Sequence, residues 1–113
     1  MNCIFCKILA GEARGKILYR DEQVTAFTDS HPVAPVHVLV VPNRHITSLD
    51  DASEDDRTLL GHMLLVGRRI AGESGIQESG YRLVINTGPD SGQSVFHLHL
   101  HVIGGRPMPF RFQ

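Results

Sequence analysis

A chain of 113 residues is long enough for one compact domain with a single core, expected to span 1–113, and short enough to lean on a partner subunit. Acids and bases nearly balance at a net charge of −1, which leaves no basic footprint for tracking a nucleic-acid backbone, so nucleic acid is not the expected partner. No apolar run is long enough to cross a bilayer and Met1–Lys7 lacks the pattern of a signal peptide, so the expectation is a cytoplasmic protein with no membrane contact.

In chain order, Ile4 to Ala10 has helical spacing and stops at Gly11. Ile17 to Tyr19 and Val24 to Thr28 read as two short strands around Asp21-Glu22, a hairpin. Val36 to Val41, bracketed by Pro32, Pro35 and Pro42 and rich in β-branched residues, reads as a buried strand. After the N-cap candidates in Asp50-Asp51-Ala52-Ser53, the stripe Leu59, Met63, Val66, Ile70 predicts the one long helix. Arg68 and Arg69 fall in its last turns, where cations suit the helix dipole, and Gly72 and Gly75 end it. Tyr81 to Asn86 and the segment from His97 onward then form two more strands, joined by the loop Thr87 to Ser94. Strands at both ends with a helix between them predict an α+β domain with a mainly antiparallel sheet.

Three histidines alternate in His97-Leu98-His99-Leu100-His101. In an extended strand they share one face while Leu98, Leu100 and Val102 fill the other. The preceding loop, with Gly88, Pro89 and Gly92, permits tight turns, and Gly92-Gln93-Ser94 offers N–H groups and a hydroxyl to an anion next to the imidazoles. A neutral imidazole with one nitrogen held by an acceptor is a nucleophile toward phosphorus or an acyl carbon. A three-histidine metal site and a buried polar ladder are the competing readings of the same pattern. Cys3 and Cys6 form a C-x-x-C pair that needs two further ligands to hold zinc, and spacing alone does not choose them among seven histidines. Free thiols or a redox pair remain the other options there.

The run from Gly92 to Arg106 resembles the signature of the histidine triad superfamily, specifically its nucleotide-binding Hint branch. Cys3-Ile4-Phe5-Cys6-Lys7-Ile8, Ala26-Phe27-Thr28-Asp29 and Pro35 to Pro42 follow the same family in order and spacing. The resemblance implies a five-stranded sheet with one long and one short N-terminal helix, and a homodimer in which sheet and long helix meet those of the partner. It implies hydrolysis of an AMP-linked phosphoramidate or related nucleotidyl conjugate through a covalent nucleotidyl-histidine.

By position, His99 is then the nucleophile, His101 holds phosphate oxygens, Ser94 assists at the phosphate or leaving group, and His37 supports the triad. Asn86, Gly92 and Gln93 join the phosphate side, Asp29 accepts from the ribose hydroxyls, and Phe5, Ile8 and Phe27 wall the base. Bacterial members that resemble this chain imply structural zinc on Cys3, Cys6, His45 and His97, whereas familiar animal members lack the cysteine pair. His31 and His62 receive no role, His62 being expected exposed or at an interface. The tail Pro107 to Gln113 departs from the tryptophan-containing tail of better-known members, which bears on the leaving-group side. A nucleotide-binding scaffold with incidental hydrolysis, a dinucleoside polyphosphate hydrolase, and a metal sensor holding metal at His99 and His101 are the alternatives.

Overall fold

A computed structural model of the chain describes residues 2–109. Helix α1 (Ile4–Leu9) is followed by strands β1 (Ile17–Arg20), β2 (Val24–Thr28) and β3 (Val36–Pro42), helix α2 (Arg57–Glu73), and strands β4 (Tyr81–Val84) and β5 (Leu100–Gly104). The strands form one antiparallel sheet in the order β1-β2-β3-β5-β4. Among the described residues no helix is long and apolar enough to cross a membrane.

The two faces of the sheet are covered by different helices. On one face α2 lays Met63, Val66, Ile70 and Ala71 over Val24, Ala26, Val38, Val40, Leu98, Leu100 and Val102. Gly67 lets the helix come close, since a Cβ there would stand 3.1 Å from Leu100 Cδ2. On the other face α1 packs Phe5 and Ile8 against Phe27, Leu39 and Val41. The period-2 alternation of β2, β3 and β5 therefore sorts side chains between two cores rather than between a core and water.

Of the N-cap candidates expected in Asp50-Asp51-Ala52-Ser53, Ser53 caps a turn before α2, and a second cap precedes it at Ser48. Ser48 and Ser53 each cap a short 3₁₀ turn, Leu49–Asp51 and Glu54–Asp56, and Ser53 with Asp56 forms a reciprocal capping box before α2 begins at Arg57. Arg68 and Arg69 lie one turn short of the C-terminal end, and Arg69 pairs with Glu73 at 3.1 Å rather than with the terminal carbonyls. β4 ends at Val84, so Ile85 and Asn86 belong to the loop.

The most consequential departure concerns the histidines. Of the three, only His101 lies within the β5 ladder; His97, in a bend, and His99 precede it outside any strand. The cause is local. Leu98 N–H donates to the carbonyl of Ile46 at 2.7 Å, so this segment is stitched to the loop after β3 instead of to a strand. Alternation survives nonetheless, because Leu98 and Leu100 still enter the α2 core while Phe5 stacks edge-on against His97 and His99 at 5.9 and 5.2 Å between centroids.

Candidate active site and metal-ligating cluster

The loop before the histidines is held by a buried side chain. Gly88 and Gly92 take positive φ, 82° and 88°, around a 3₁₀ turn at Pro89–Ser91, a conformation that favours glycine at both positions. Gln93 turns inward: its Oε1 accepts from Gly88 N–H at 2.8 Å, and its Nε2 donates to the carbonyls of Thr47 and Val95 at 3.0 and 3.1 Å. Gln93 thus shapes the loop and does not line the pocket that the loop borders.

That pocket encloses about 750 Å³ over the α1 face of the sheet. Phe5, Ile8, Phe27, Asp29, His37, Asn86, Gly92, Ser94, His99 and His101 all line it. Sheet register explains part of this assembly. Phe27 pairs with Leu39, and Leu39 with His101, so an apolar-to-imidazole row crosses three strands on one face. The apolar end of the pocket is closed by Phe5 and Phe27, edge to face at 5.3 Å.

Sequence reasoning left several lining residues unassigned: Leu39, Val95, Arg14, Lys16 and His31. Leu39 was within reach of it, since it stands two residues from His37 on the same strand face. The others arrive on loops whose paths carry no periodic signal. His62, expected exposed or at an interface, is instead half-buried and paired with Asp21 Oδ2 at 2.6 Å, tying α2 to the β1–β2 turn. Tyr19 donates to that same oxygen at 2.8 Å.

Backbone groups set the tautomers of the imidazoles, since a carbonyl only accepts and an N–H only donates. His99 Nδ1 lies 2.7 Å from the carbonyl of His97, so Nδ1 carries the proton and the Nε2 lone pair remains for the pocket. His37 Nδ1 accepts from Val33 N–H at 3.1 Å, which puts the proton of a neutral ring on Nε2. From there it donates to His101 Nδ1 at 2.8 Å, with Asp29 Oδ2 at 3.3 Å from the same nitrogen. His101 consequently carries its own proton on Nε2, a buried atom with no hydrogen-bond partner among the described residues. Burial pushes His101 down to about 4, helped by repulsion from His99 and His37; burial likewise lowers His37. Both rings are neutral near pH 7.

A second cluster is joined to the pocket through Phe5, which lines the pocket and stands edge-on to His97. His97, fully buried, donates from Nε2 to the carbonyl of Pro42 at 2.9 Å, leaving Nδ1 as a lone pair. That Nδ1 lies 3.4 Å from Cys3 Sγ, 3.6 Å from Cys6 Sγ and 3.2 Å from His45 Nδ1; Cys6 Sγ and His45 Nδ1 are 3.4 Å apart. Zinc bonds of about 2.3 Å to sulfur and 2.0–2.1 Å to nitrogen would set the edges of a ligand tetrahedron at roughly 3.3–3.8 Å, so this donor set fits the ion. Burial pushes the Cys6 thiol up, with the Cys3 contact adding to it, and a cation in the centre would reverse that.

Asp29, His37 and His101 also bring ligand-type atoms together. They fit a cation poorly. Binding through His37 Nε2 would move its proton to Nδ1, directly against Val33 N–H. A metal shared by His99 and His101 is disfavoured as well, because the proton of His101 already occupies the nitrogen left after His37 takes Nδ1.

Comparison with known proteins agrees with this geometry. The chain is 46% identical over 105 residues to the purine nucleoside phosphoramidase of Escherichia coli (strain K12), covering 93% of this chain and 88% of that protein. A histidine triad protein from Clostridium difficile superposes with a TM-score of 0.95 at 43% identity, over 99% of this chain and 97% of that one. A Zn-bound histidine triad family protein from Mycobacterium smegmatis superposes with a TM-score of 0.82 at 38% identity, over 94% of this chain and 76% of that one. The HIT domain profile matches residues 10–108, and the chain belongs to the HIT domain family.

Proposed function

We propose that this chain is a nucleotidyl hydrolase that cleaves AMP-linked phosphoramidates or related purine nucleotide conjugates. The observation that carries the reading is the pair of opposite tautomers in one pocket: His99 presents a lone pair from Nε2 while His101, two residues on, presents a proton from Nε2. A nucleophile and a fixed donor side by side suit attack on phosphorus, where charge grows on the non-bridging oxygens.

His99 Nε2 forms a bond to the α-phosphorus as the phosphorus–nitrogen bond breaks. The departing amine takes a proton from solvent, which the attacking water of the second step gives back, and the imidazolium of the nucleotidyl-histidine is stabilised by the carbonyl of His97. Water then attacks the same phosphorus, releasing AMP and returning the lone pair to His99. His101 donates to a phosphate oxygen in both steps; Ser94, Asn86 and the Gly92 backbone border the phosphate and the leaving group. Asp29 receives the ribose hydroxyls, and Phe5, Ile8 and Phe27 enclose the base.

The Cys3, Cys6, His45 and His97 cluster holds zinc in this reading, and the ion supplies structure only, joining α1 to the histidine segment. The Zn-bound relative and the spacing of the four donor atoms support it. A homodimer completes the reading. Leu64 and Leu65 of α2 are 47% and 60% exposed on the side of the helix turned from the core, an apolar surface suited to a second copy. Light scattering giving twice the chain mass is the expected result.

The test of the reaction is single-turnover mixing with an adenosine phosphoramidate. Intact-mass measurement should show an adenylated protein that disappears with AMP release, and His99→Ala should lower kcat by at least about a thousandfold while nucleotide affinity stays within a few fold. Retained turnover in His99→Ala overturns the mechanism; affinity without any turnover in the wild type leaves a nucleotide-binding scaffold.

A further inference from the structure

The loop between β2 and β3 contributes no acid–base side chain to the reacting centre from Pro32-Val33-Ala34-Pro35, yet it makes a contact on which the tautomers of His37 and His101 depend. Prolines before and after limit the backbone of this stretch. The turn after β5 grips it at two points. Arg106 Nη2 donates to the carbonyl of Val33 at 2.8 Å. Gly105, at φ +100°, lies so close to Pro35 that a Cβ would stand 2.9 Å from Pro35 Cβ. The Val33 residue is thereby held by its carbonyl while its N–H points at His37 Nδ1, 3.1 Å away.

We propose that Val33 N–H, held in place by Arg106, is a positioning group that fixes the proton of His37 on Nε2 and so keeps His101 a hydrogen-bond donor toward the substrate phosphate. The inference rests on the reaction proposed above. Its logic is a choice between two proton arrangements. With Val33 N–H in place, His37 donates to His101 Nδ1 at 2.8 Å and His101 Nε2 carries a proton. Without it, Asp29 Oδ2 at 3.3 Å from Nε2 is the one remaining described group favouring that arrangement, and His37 can carry its proton on Nδ1 while His101 donates back from Nδ1. His101 Nε2 would then meet phosphate oxygens as a lone pair, and attraction becomes repulsion. The atom concerned is the buried, unpartnered His101 Nε2, which the first arrangement leaves ready to donate and the second does not. Arg106 therefore acts on the reaction through main-chain atoms, without touching substrate.

The experiment uses the full chain labelled with ¹⁵N-histidine, in which long-range ¹H–¹⁵N correlation distinguishes protonated from unprotonated ring nitrogens. In the wild type, His37 and His101 are expected as single Nε2–H tautomers. Val33→Pro removes the N–H and should give mixed tautomers at His37, with kcat for an AMP-linked amine down by about tenfold and KM changed by less than about twofold. Arg106→Ala, at an exposed position that carries the test if Val33→Pro fails to fold, should mix the tautomers partly and lower kcat by about threefold; Arg106→Lys should restore both. An unchanged His37 signature in a folded Val33→Pro or in Arg106→Ala overturns the proposal, as does a changed signature with unchanged kcat. Wild-type protein without turnover would instead overturn the reaction, while the tautomer measurement still reads the contact itself.

Discussion

The cysteine-bearing cluster and the Asp29–His37–His101 cluster of the pocket are built from similar ligand-type groups. What separates them is the backbone group behind each histidine. His97 has a carbonyl behind it, that of Pro42, which takes the Nε2 proton and aims a lone pair at two sulfurs. His37 has an N–H behind it, that of Val33, which takes the Nδ1 lone pair and sends a proton forward. A backbone acceptor makes an imidazole ready for a cation, and a backbone donor makes it a link in a proton chain.

Removing the zinc proposed for the first cluster should have the largest effect on stability. Chelation, or Cys3→Ser with Cys6→Ser, is expected to lower Tm by roughly 10–20 °C in a domain of this size, measured by calorimetry with zinc content determined in parallel. The pocket cluster should respond in the opposite way. His101→Ala is expected to lower kcat by about a hundredfold with little change in Tm, since it removes the donor that the proposed reaction places at the phosphate. If chelation left Tm unchanged and His101→Ala unfolded the protein, the two assignments would have to be exchanged.

Acid should sharpen the contrast more gently. His101 is held at about 4 by burial, well below its ordinary value near 6.5, so the unfolded chain binds its proton more readily than the folded one. The associated stability is fully present above about pH 6.5 and is lost as pH falls toward 4. Thermal melts across that window should show Tm falling, with a shallower slope in His101→Asn. The smallest effect belongs to a histidine in neither cluster. His62→Ala removes a half-buried pair with Asp21 and should cost about 1 kcal/mol or less, with turnover unchanged.

Much of this was legible in the residues. The order of elements and the α2 stripe follow from periodicity, and the two faces of the histidine segment follow from alternation. Resemblance names ten positions for nucleotide contact; nine of them border one pocket, and Gln93 is turned to main-chain atoms instead. Gln93 escaped because its three partners are main-chain atoms of Gly88, Thr47 and Val95, which no side-chain pattern encodes. For the same reason the strand expected at His97 is no strand: its neighbour's N–H is claimed by Ile46. The roles of Val33 and Arg106 depend on where a carbonyl and an N–H point once the loop has closed. Of the tail, Met108 and Pro109 accept through their carbonyls from Arg82 at 3.3 and 3.2 Å, while the expectation for Phe110 to Gln113 lies outside the described residues.

Helix α1 is six residues long and places Phe5 between Cys3 and Cys6. An isolated helix of that length has no stability of its own, so its order is borrowed from what it docks on. Hydrogen exchange should therefore divide the molecule into two cooperative units: amides of Lys7 and Ala10 opening early, and those of β3 and β5 opening only with the whole. Since Phe5 and Ile8 travel with the early unit, that wall of the pocket can dissolve while the sheet stands, and on the proposed reading zinc supply would become a term in the affinity for nucleotide.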